Sequence, residues 1–260
     1  WSAIRERCPG RAGRLAALLL LACPSMLDFA CTSMDAVFLL FAALALRAGL
    51  RAFETGASVR RAIGAGVLLL LATFFSFSAL PLGLVLLLYA AFTGVHQPAK
   101  TLARLAWIGA AYAPSALSLF GATGFPIWRC LLAARHAGLE LMARAAGADP
   151  RSMAPQFWYG NVTAFSIGAG VALLGALAMR LRAKSLCAEP WTPAVLLTLA
   201  TMTFGGMYFM ETERVWLFVL PWIALAAVTA GAFEARSLRL LLFAGLAQAL
   251  AMEIGLFTLW

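Results

Sequence analysis

Residues able to do chemistry are few in this chain and fall in a small number of places. The densest group lies in "GGMYFMETERVWLFVLPW", residues 205–222, where Glu211, Thr212, Glu213 and Arg214 separate two apolar runs. An arginine grips phosphate through paired N–H donors, and carboxylates accept hydrogen bonds from hydroxyls. Together they suit a substrate that carries both groups. A second group sits in "IWRCLLAARHAGLELMARAAG", which holds Arg129, Arg135, His136, Glu140 and Arg144. Its arginines are phosphate candidates, and His136 offers proton transfer near neutral pH. Asp28 and Asp35 are further carboxylates, close to the end of one apolar run and the start of the next.

Each of these residues also has a plainer reading. Asp35 follows Thr32 by three positions, which fits the far half of a capping box. Asp28 fits a simple loop cap. Glu211 and Arg214, three apart, suit a helix-start ion pair worth about 0.2–0.5 kcal/mol. A lone histidine on a surface helix is usually just solvated, and Arg129, Arg135 and Arg144 suit lipid phosphates as well as substrate. Glu253 lies roughly 25 Å along the last apolar segment from Arg236, where it can reach headgroups.

The elements that must position these residues belong to a membrane protein. The chain has 260 residues, is 63% hydrophobic and only 12% charged, with a mean hydropathy of +0.89. A soluble globule cannot hide that much apolar surface, whereas a bilayer accepts spans of about 20 apolar residues. The runs are continuous and rich in Leu and Ala rather than alternating, which predicts helices, not a barrel. The net charge of +9 marks cytoplasmic connections; no basic run is interleaved with stacking aromatics, so nucleic acid is not expected as a partner. Five cysteines without a CxxC spacing suggest neither a zinc site nor a disulfide framework.

Nine apolar segments are expected, at about 15–27, 36–46, 62–77, 80–93, 105–120, 162–179, 193–210, 215–232 and 238–260. The fold class is therefore all-α: a polytopic transmembrane helical bundle, one domain over residues 1–260. Residues 62–93 as one helix would be roughly 48 Å long against a hydrocarbon core of about 30 Å. "SFSALP", Ser76 to Pro81, offers a hairpin point because Pro81 disfavours continuing a helix. With that hairpin and a cytoplasmic N-terminus, only Arg129, Arg135, Arg144, Arg151 and Arg214 of the 20 Lys and Arg fall outside; one long helix would put more of them there. The hairpin satisfies the positive-inside rule better.

This topology leaves one long connection, residues 121–160, on the outer face, containing an amphipathic helix at the membrane surface. Trp158 and Tyr159 mark the return to the bilayer. Asp28, Asp35, His136, Glu140, Asp149, Glu211, Glu213 and the five outer arginines then share one face. Segments starting there, at Asp35, Leu80, Asn161 and Glu213, present helix N-termini that favour anions. "NVT", Asn161 to Thr163, matches a glycosylation sequon but reads as helix capping at the membrane.

The pattern resembles the GT-C class of integral-membrane glycosyltransferases, mannosyltransferase-like enzymes that use a polyprenyl-phosphate sugar donor. "SMDAVFLLFAALALRAGLRA" looks like the helix that follows an Asp in a short outer loop. "RAIGAGVLLLLATFFSFSALPLGLVLLLYAAF" looks like the neighbouring Gly-rich half-spans. "RHAGLELMARAAGADPRSMAPQFWYGN" looks like a His-bearing outer loop. "METERVWLFVLPWIALAA" is similar to the E-x-E-R-[IV]-W-x-x-x-x-P-W signature of a bacterial branch. The likeness runs from about Ala16 to Trp260.

The resemblance implies transfer of a sugar from the polyprenyl-phosphate donor to a hydroxyl of an unidentified acceptor, at the outer face of a bacterial plasma (inner) membrane. Arg214, with Arg129 or Arg135, would hold the leaving phosphate and stabilise its growing charge. Glu211, Glu213 and His136 would orient hydroxyls, and Asp35 would be a supporting carboxylate. The family's general base lies in a first outer loop upstream of anything here, so the chain is expected to be the C-terminal portion of such an enzyme. No cofactor is assigned, and a divalent metal is left open. Besides the donor and acceptor, membrane lipids are the expected partners. The competing readings are a transporter or flippase for a lipid-linked or anionic substrate, which needs polar groups on broken helices at mid-membrane, and a non-catalytic membrane subunit.

Overall fold

The computed structural model describes residues 10–27, 35–146, 154–182, 189–205, 216–228 and 235–256. Among these residues the regular structure is entirely helical. The helices are α1 (Arg11–Leu21), α2 (Asp35–Ala52), α3 (Val59–Phe75), α4 (Pro81–Thr93), α5 (Pro98–Thr123), α6 (Ile127–Ala146), α7 (Ala154–Arg182), α8 (Trp191–Phe204), α9 (Leu220–Val228) and α10 (Ala235–Leu256). Among the described residues three stretches are long and apolar enough to cross a bilayer: Pro98–Thr123, Trp158–Arg180 and Arg236–Gly255. Ala12–Leu21, Pro81–Thr93, Trp191–Phe204 and Leu217–Val228 are shorter apolar helices.

Local sequence explains most boundaries. Ser76 is extended and ends α3, a short 3-10 turn covers Phe77–Ala79, and Pro81 opens α4 from a position where its missing N–H costs no hydrogen bond. The expected break between residues 77 and 80 is therefore present. A Cβ built on Gly83 would lie 3.9 Å from Leu69 Cδ2, so the first turn of α4 comes back to the Leu69 side chain of α3. Gly124, left-handed at φ 70, caps α5 and donates its N–H to the Phe120 carbonyl at 2.7 Å, as glycine does at helix ends.

Several expected boundaries are corrected. The first segment is not one helix through residue 27: α1 stops at Leu21, and Pro24 opens a new helical turn. The long connection is shorter than residues 121–160, because α5 runs on to Thr123 and α7 already begins at Ala154. Asn161 is thus inside a helix and buried, so it neither starts the helix nor offers an accessible sequon. Of the eighth segment, the described residues form a 3-10 turn, Leu217–Val219, followed by α9, and both expected ends lie outside the described residues.

The chain divides into two compact units. The first comprises Trp1–Leu40, Val162–Leu199 and Glu211–Trp260. Here α1 packs against α9. All of α9 except Pro221 is buried, as expected of a helix that is apolar on every side. Trp222 meets Trp191 edge-on at 6.3 Å, and Trp216 lies against Phe165 at 5.3 Å. α7 and α10 approach closely through small residues: a Cβ at Gly245 would come within 2.6 Å of the Ala172 Cβ, and one at Gly175 within 2.7 Å of Leu241. Small residues serve this purpose where lipid offers no hydrophobic drive to associate.

The second unit comprises Phe41–Asn161 and Ala200–Met210. Its main contact is α3 against α5. A Cβ at Gly66 would strike the Ile108 carbonyl oxygen, so the two backbones meet there. Ala52, Ala62, Ala65 and Ile108 form one apolar cluster around this contact. Leu70, Ala116 and Ile127 form another, which seats the start of α6.

Candidate functional site

The polar residues singled out by type and spacing have different standing in the structure. Asp35 is the first described residue of α2. Asp28, Glu211, Glu213 and Arg214 lie outside the described residues, as does Thr32 of the expected capping box. His136, Arg129 and Arg135 are on α6, and all three are exposed.

α6 forms where the sequence places an amphipathic helix. Ile127 is buried and anchors its first turn, whereas Leu132 is 65% exposed, so the apolar stripe is wider than the packing beneath it. Along the polar side, the Glu140 carboxylate takes two partners. His136 Nε2 lies 3.2 Å from Oε1, and Arg144 Nη2 lies 3.4 Å from Oε2. The three residues form an i, i+4 ladder in which one carboxylate meets a histidine on one side and an arginine on the other. The side chains of His136 and Arg144 are 76% and 79% exposed, so water screens the ladder and its stabilising effect is small. Arg129 and Arg135 make no ion pair with a described residue. Among the described residues α6 therefore presents two guanidiniums without an ion pair, while Arg144 is already engaged.

The run "ETERVWLFVLPW" divides into a charged half and an aromatic half. Of the aromatic half, Trp216 is 1% exposed and Trp222 2%, and Pro221 occupies the first turn of α9, where a proline is tolerated. The indole N–H groups of Trp216 and Trp222 and the hydroxyl of Thr192 are buried with no hydrogen-bond partner among the described residues. Two residues before Trp216 comes Arg214. The residue that closes the charged cluster is thus tied, through a very short stretch of chain, to a buried indole.

Two polar contacts between helices were not marked in the sequence. Thr73 on α3 lies 3.1 Å from the Tyr112 hydroxyl on α5. Gln248 on α10 bonds the backbone of α7 on both sides of Gly170: Oε1 accepts from Val171 N–H at 2.8 Å, and Nε2 donates to the Ile167 carbonyl at 3.0 Å. The available signal for the second was a single amide in an otherwise apolar span, since a polar side chain at membrane depth needs a partner. Among the described residues, no three His, Cys, Asp or Glu side chains come together in a way that could hold a metal ion. Comparison of the chain with protein-family models, curated proteins and solved structures found no match.

Proposed function

We propose that this chain belongs to a multi-pass membrane glycosyltransferase of the GT-C type, which moves a sugar from a polyprenyl-phosphate donor to a hydroxyl acceptor. The observation that carries the reading is the division of the "METERVWLFVLPW" run. Two carboxylates and a guanidinium immediately precede an indole that is buried in an all-apolar helix–turn segment. A charge cluster serving only as a connecting turn has no need of such an anchor. A cluster that must grip a phosphate and sugar hydroxyls does, because catalysis by charge stabilisation depends on groups held in place beforehand.

In this reading all nine apolar segments belong to the membrane domain, the shorter ones sheltered by their neighbours. The charged cluster and α6 face the outside of a bacterial plasma membrane. Arg214 holds the leaving phosphate, and Arg129 or Arg135 adds a second cation. Glu211, Glu213 and His136 orient hydroxyls, and Asp35 supports them. The acceptor hydroxyl loses its proton to a general base as its oxygen attacks the anomeric carbon, and the sugar–phosphate bond breaks with its electrons going to the phosphate.

One observation bears on a transporter. α7 is broken at Gly170, within a span, and broken helices supply transporter binding sites. The backbone N–H and carbonyl on either side of Gly170 are, however, both taken by Gln248, so they are not open to a substrate. Reconstitution separates the two readings. Proteoliposomes given a labelled polyprenyl-phosphate sugar and a hydroxyl acceptor should transfer the label covalently. Movement of label across the bilayer without covalent transfer would favour the transporter.

A further inference from the structure

One side of the α3–α5 pair carries cations at its start and exposed apolar residues beyond them. The two helices run parallel: Ala62 and Ala65 cluster with Ile108, and further on Leu70 clusters with Ala116. Gly66 lets them touch, since a Cβ there would lie 2.8 Å from the Ala111 Cβ. Helical spacing places Lys100, Arg104, Trp107 and Ala111 on one stripe of α5, and Arg60, Ile63 and Val67 on one stripe of α3. The two stripes flank the Gly66–Ala111 contact, on the side away from Ala65, where α2 packs through Ala52. They wall an open groove, in which Ile63, Val67 and Trp107 are 38%, 37% and 46% exposed. We propose that this groove binds one anionic glycerophospholipid, its phosphate among Arg60, Lys100 and Arg104 and an acyl chain along Ile63, Val67 and Trp107.

Charge selects the headgroup. Seven residues before Gly66 and Ala111 stand Val59 and Arg104. Arg104 is therefore level with the first turn of α3, beside Arg60, and Lys100 is one turn further out. Arg60 and Lys100 are exposed and Arg104 is half-buried. None of the three makes an ion pair with a described residue. Glu54 is 3.3 Å from Arg61, which stands one turn before Ala65 and so belongs to the other side. Neither helix has an acid in its first turn, and the start of α3 adds its own partial positive charge. Three cations crowded together repel one another until an anion joins them, and a guanidinium takes a phosphate through two parallel hydrogen bonds.

The apolar walls select a lipid over a soluble anion. α5 is long and apolar enough to span, so Lys100 and Arg104, in its first two turns, stand at one membrane surface. Trp107 comes one turn deeper, at the level where indoles gather. On the facing wall Ile63 and Val67 lead inward from Arg60. A soluble anion would meet the cations and leave these walls bare, whereas a phospholipid covers both. Basic pockets between membrane helices take anionic headgroups in this way. A phospholipid without net charge would fit the walls and leave the cations uncompensated. Occupancy of the groove needs a bilayer lipid and no sugar donor, so its test is independent of the proposed function.

The probe is phosphatidylglycerol with a photoreactive group near the glycerol end of one acyl chain, added to the full chain in detergent micelles. Illumination and peptide mapping should place the label on Ile63, Val67 and Trp107. Lys100→Gln with Arg104→Gln should weaken binding about 25-fold, at about fivefold for each cation. Arg129→Gln with Arg135→Gln removes the same charge from α6, whose first turn sits on Leu70 and Ala116 at the other end of the pair. It should weaken binding by no more than about twofold, because charges so far apart are screened. Arg104→Lys keeps the charge and should retain most of the binding, and helical circular dichroism checks that each variant folds. Unlabelled phosphatidylglycerol should displace the probe at concentrations where phosphatidylcholine and inorganic phosphate do not. Equal losses in the two double variants overturn the proposal, as does equal displacement by phosphatidylcholine or by inorganic phosphate. Label spread over α3 and α5 without preference for this side overturns it as well.

Discussion

Gln248 on α10 closes the break that Gly170 makes in α7. Gly170 has φ 77 and ψ 160, a region open essentially to glycine alone. A Cβ there would also lie 2.7 Å from Pro24 Cδ. The break frees backbone groups that lipid cannot satisfy, and the Gln248 amide, with one acceptor and one donor, takes the Val171 N–H and the Ile167 carbonyl together.

Two substitutions should therefore destabilise the first unit. Gln248→Leu leaves the two backbone groups unpaired, at about 1–3 kcal/mol for each group so stranded. Gly170→Ala forces a non-glycine residue into the strained region, at about 1–3 kcal/mol before the collision with Pro24 is counted. Thermal unfolding in detergent should show both, and the double variant should lose less than the sum because the two changes act on one contact.

Gly66→Val should disrupt the second unit. The added carbons meet the backbone of Ile108 rather than a movable side chain, so α3 and α5 must separate, at roughly 1–3 kcal/mol. A lowered unfolding temperature with unchanged helix content at low temperature is the expected result. Gly64→Val is the control, because a Cβ at Gly64 meets nothing within 4 Å.

Thr73 Oγ1 donates its one proton to the Leu69 and Leu70 carbonyls, 3.0 and 2.9 Å away, so Tyr112 is the donor in the 3.1 Å contact between them. Tyr112→Phe removes the donor and leaves Thr73 bonded to its own helix, a loss of about 1 kcal/mol. Thr73→Val leaves the Tyr112 hydroxyl facing an apolar wall, at about 1–3 kcal/mol. Equal destabilisation by the two variants, measured in the same unfolding assay, would contradict the assignment.

The arginines of α6 should separate by function. Arg135→Ala is expected to raise the KM for a polyprenyl-phosphate sugar about tenfold, the effect of losing one charge-assisted hydrogen bond. Arg144 is already engaged with Glu140, and Arg144→Ala should change it by no more than about twofold, as for an exposed ion pair.

What could be read in the sequence, and what could not, has a physical pattern. Ser76 to Pro81 announced the turn between α3 and α4 because proline limits its neighbours whatever lies around it. α6 was legible because its apolar and charged residues repeat at the helical spacing. The break at Gly170 was not, because a glycine inside a helix costs only about 1 kcal/mol relative to alanine and reads as helix in any window. The groups that meet the break, Pro24 beside Gly170 and the Gln248 amide, are both remote in sequence. Thr73 and Tyr112 looked like ordinary members of apolar runs, and only the approach of α3 to α5 makes them partners. Of the candidate site, the α6 portion was visible with its cations. The aromatic anchors after Arg214 were visible as a motif, but their burial depends on α1, α7 and α8 and is a property of packing.

The central claim is that the charged cluster before Trp216 acts on a polyprenyl-phosphate sugar. The most direct measurement is the initial rate of label transfer to acceptor by membranes containing the full-length parent protein, wild type or Arg214→Ala, at equal amounts of folded protein. The wild type should transfer label only when the donor carries its polyprenyl phosphate, and Arg214→Ala should fall by about 10²–10³-fold, the usual effect of removing a group that stabilises developing charge. Transfer at the wild-type rate by Arg214→Ala, or no transfer by the wild type with any polyprenyl-phosphate sugar, would contradict it.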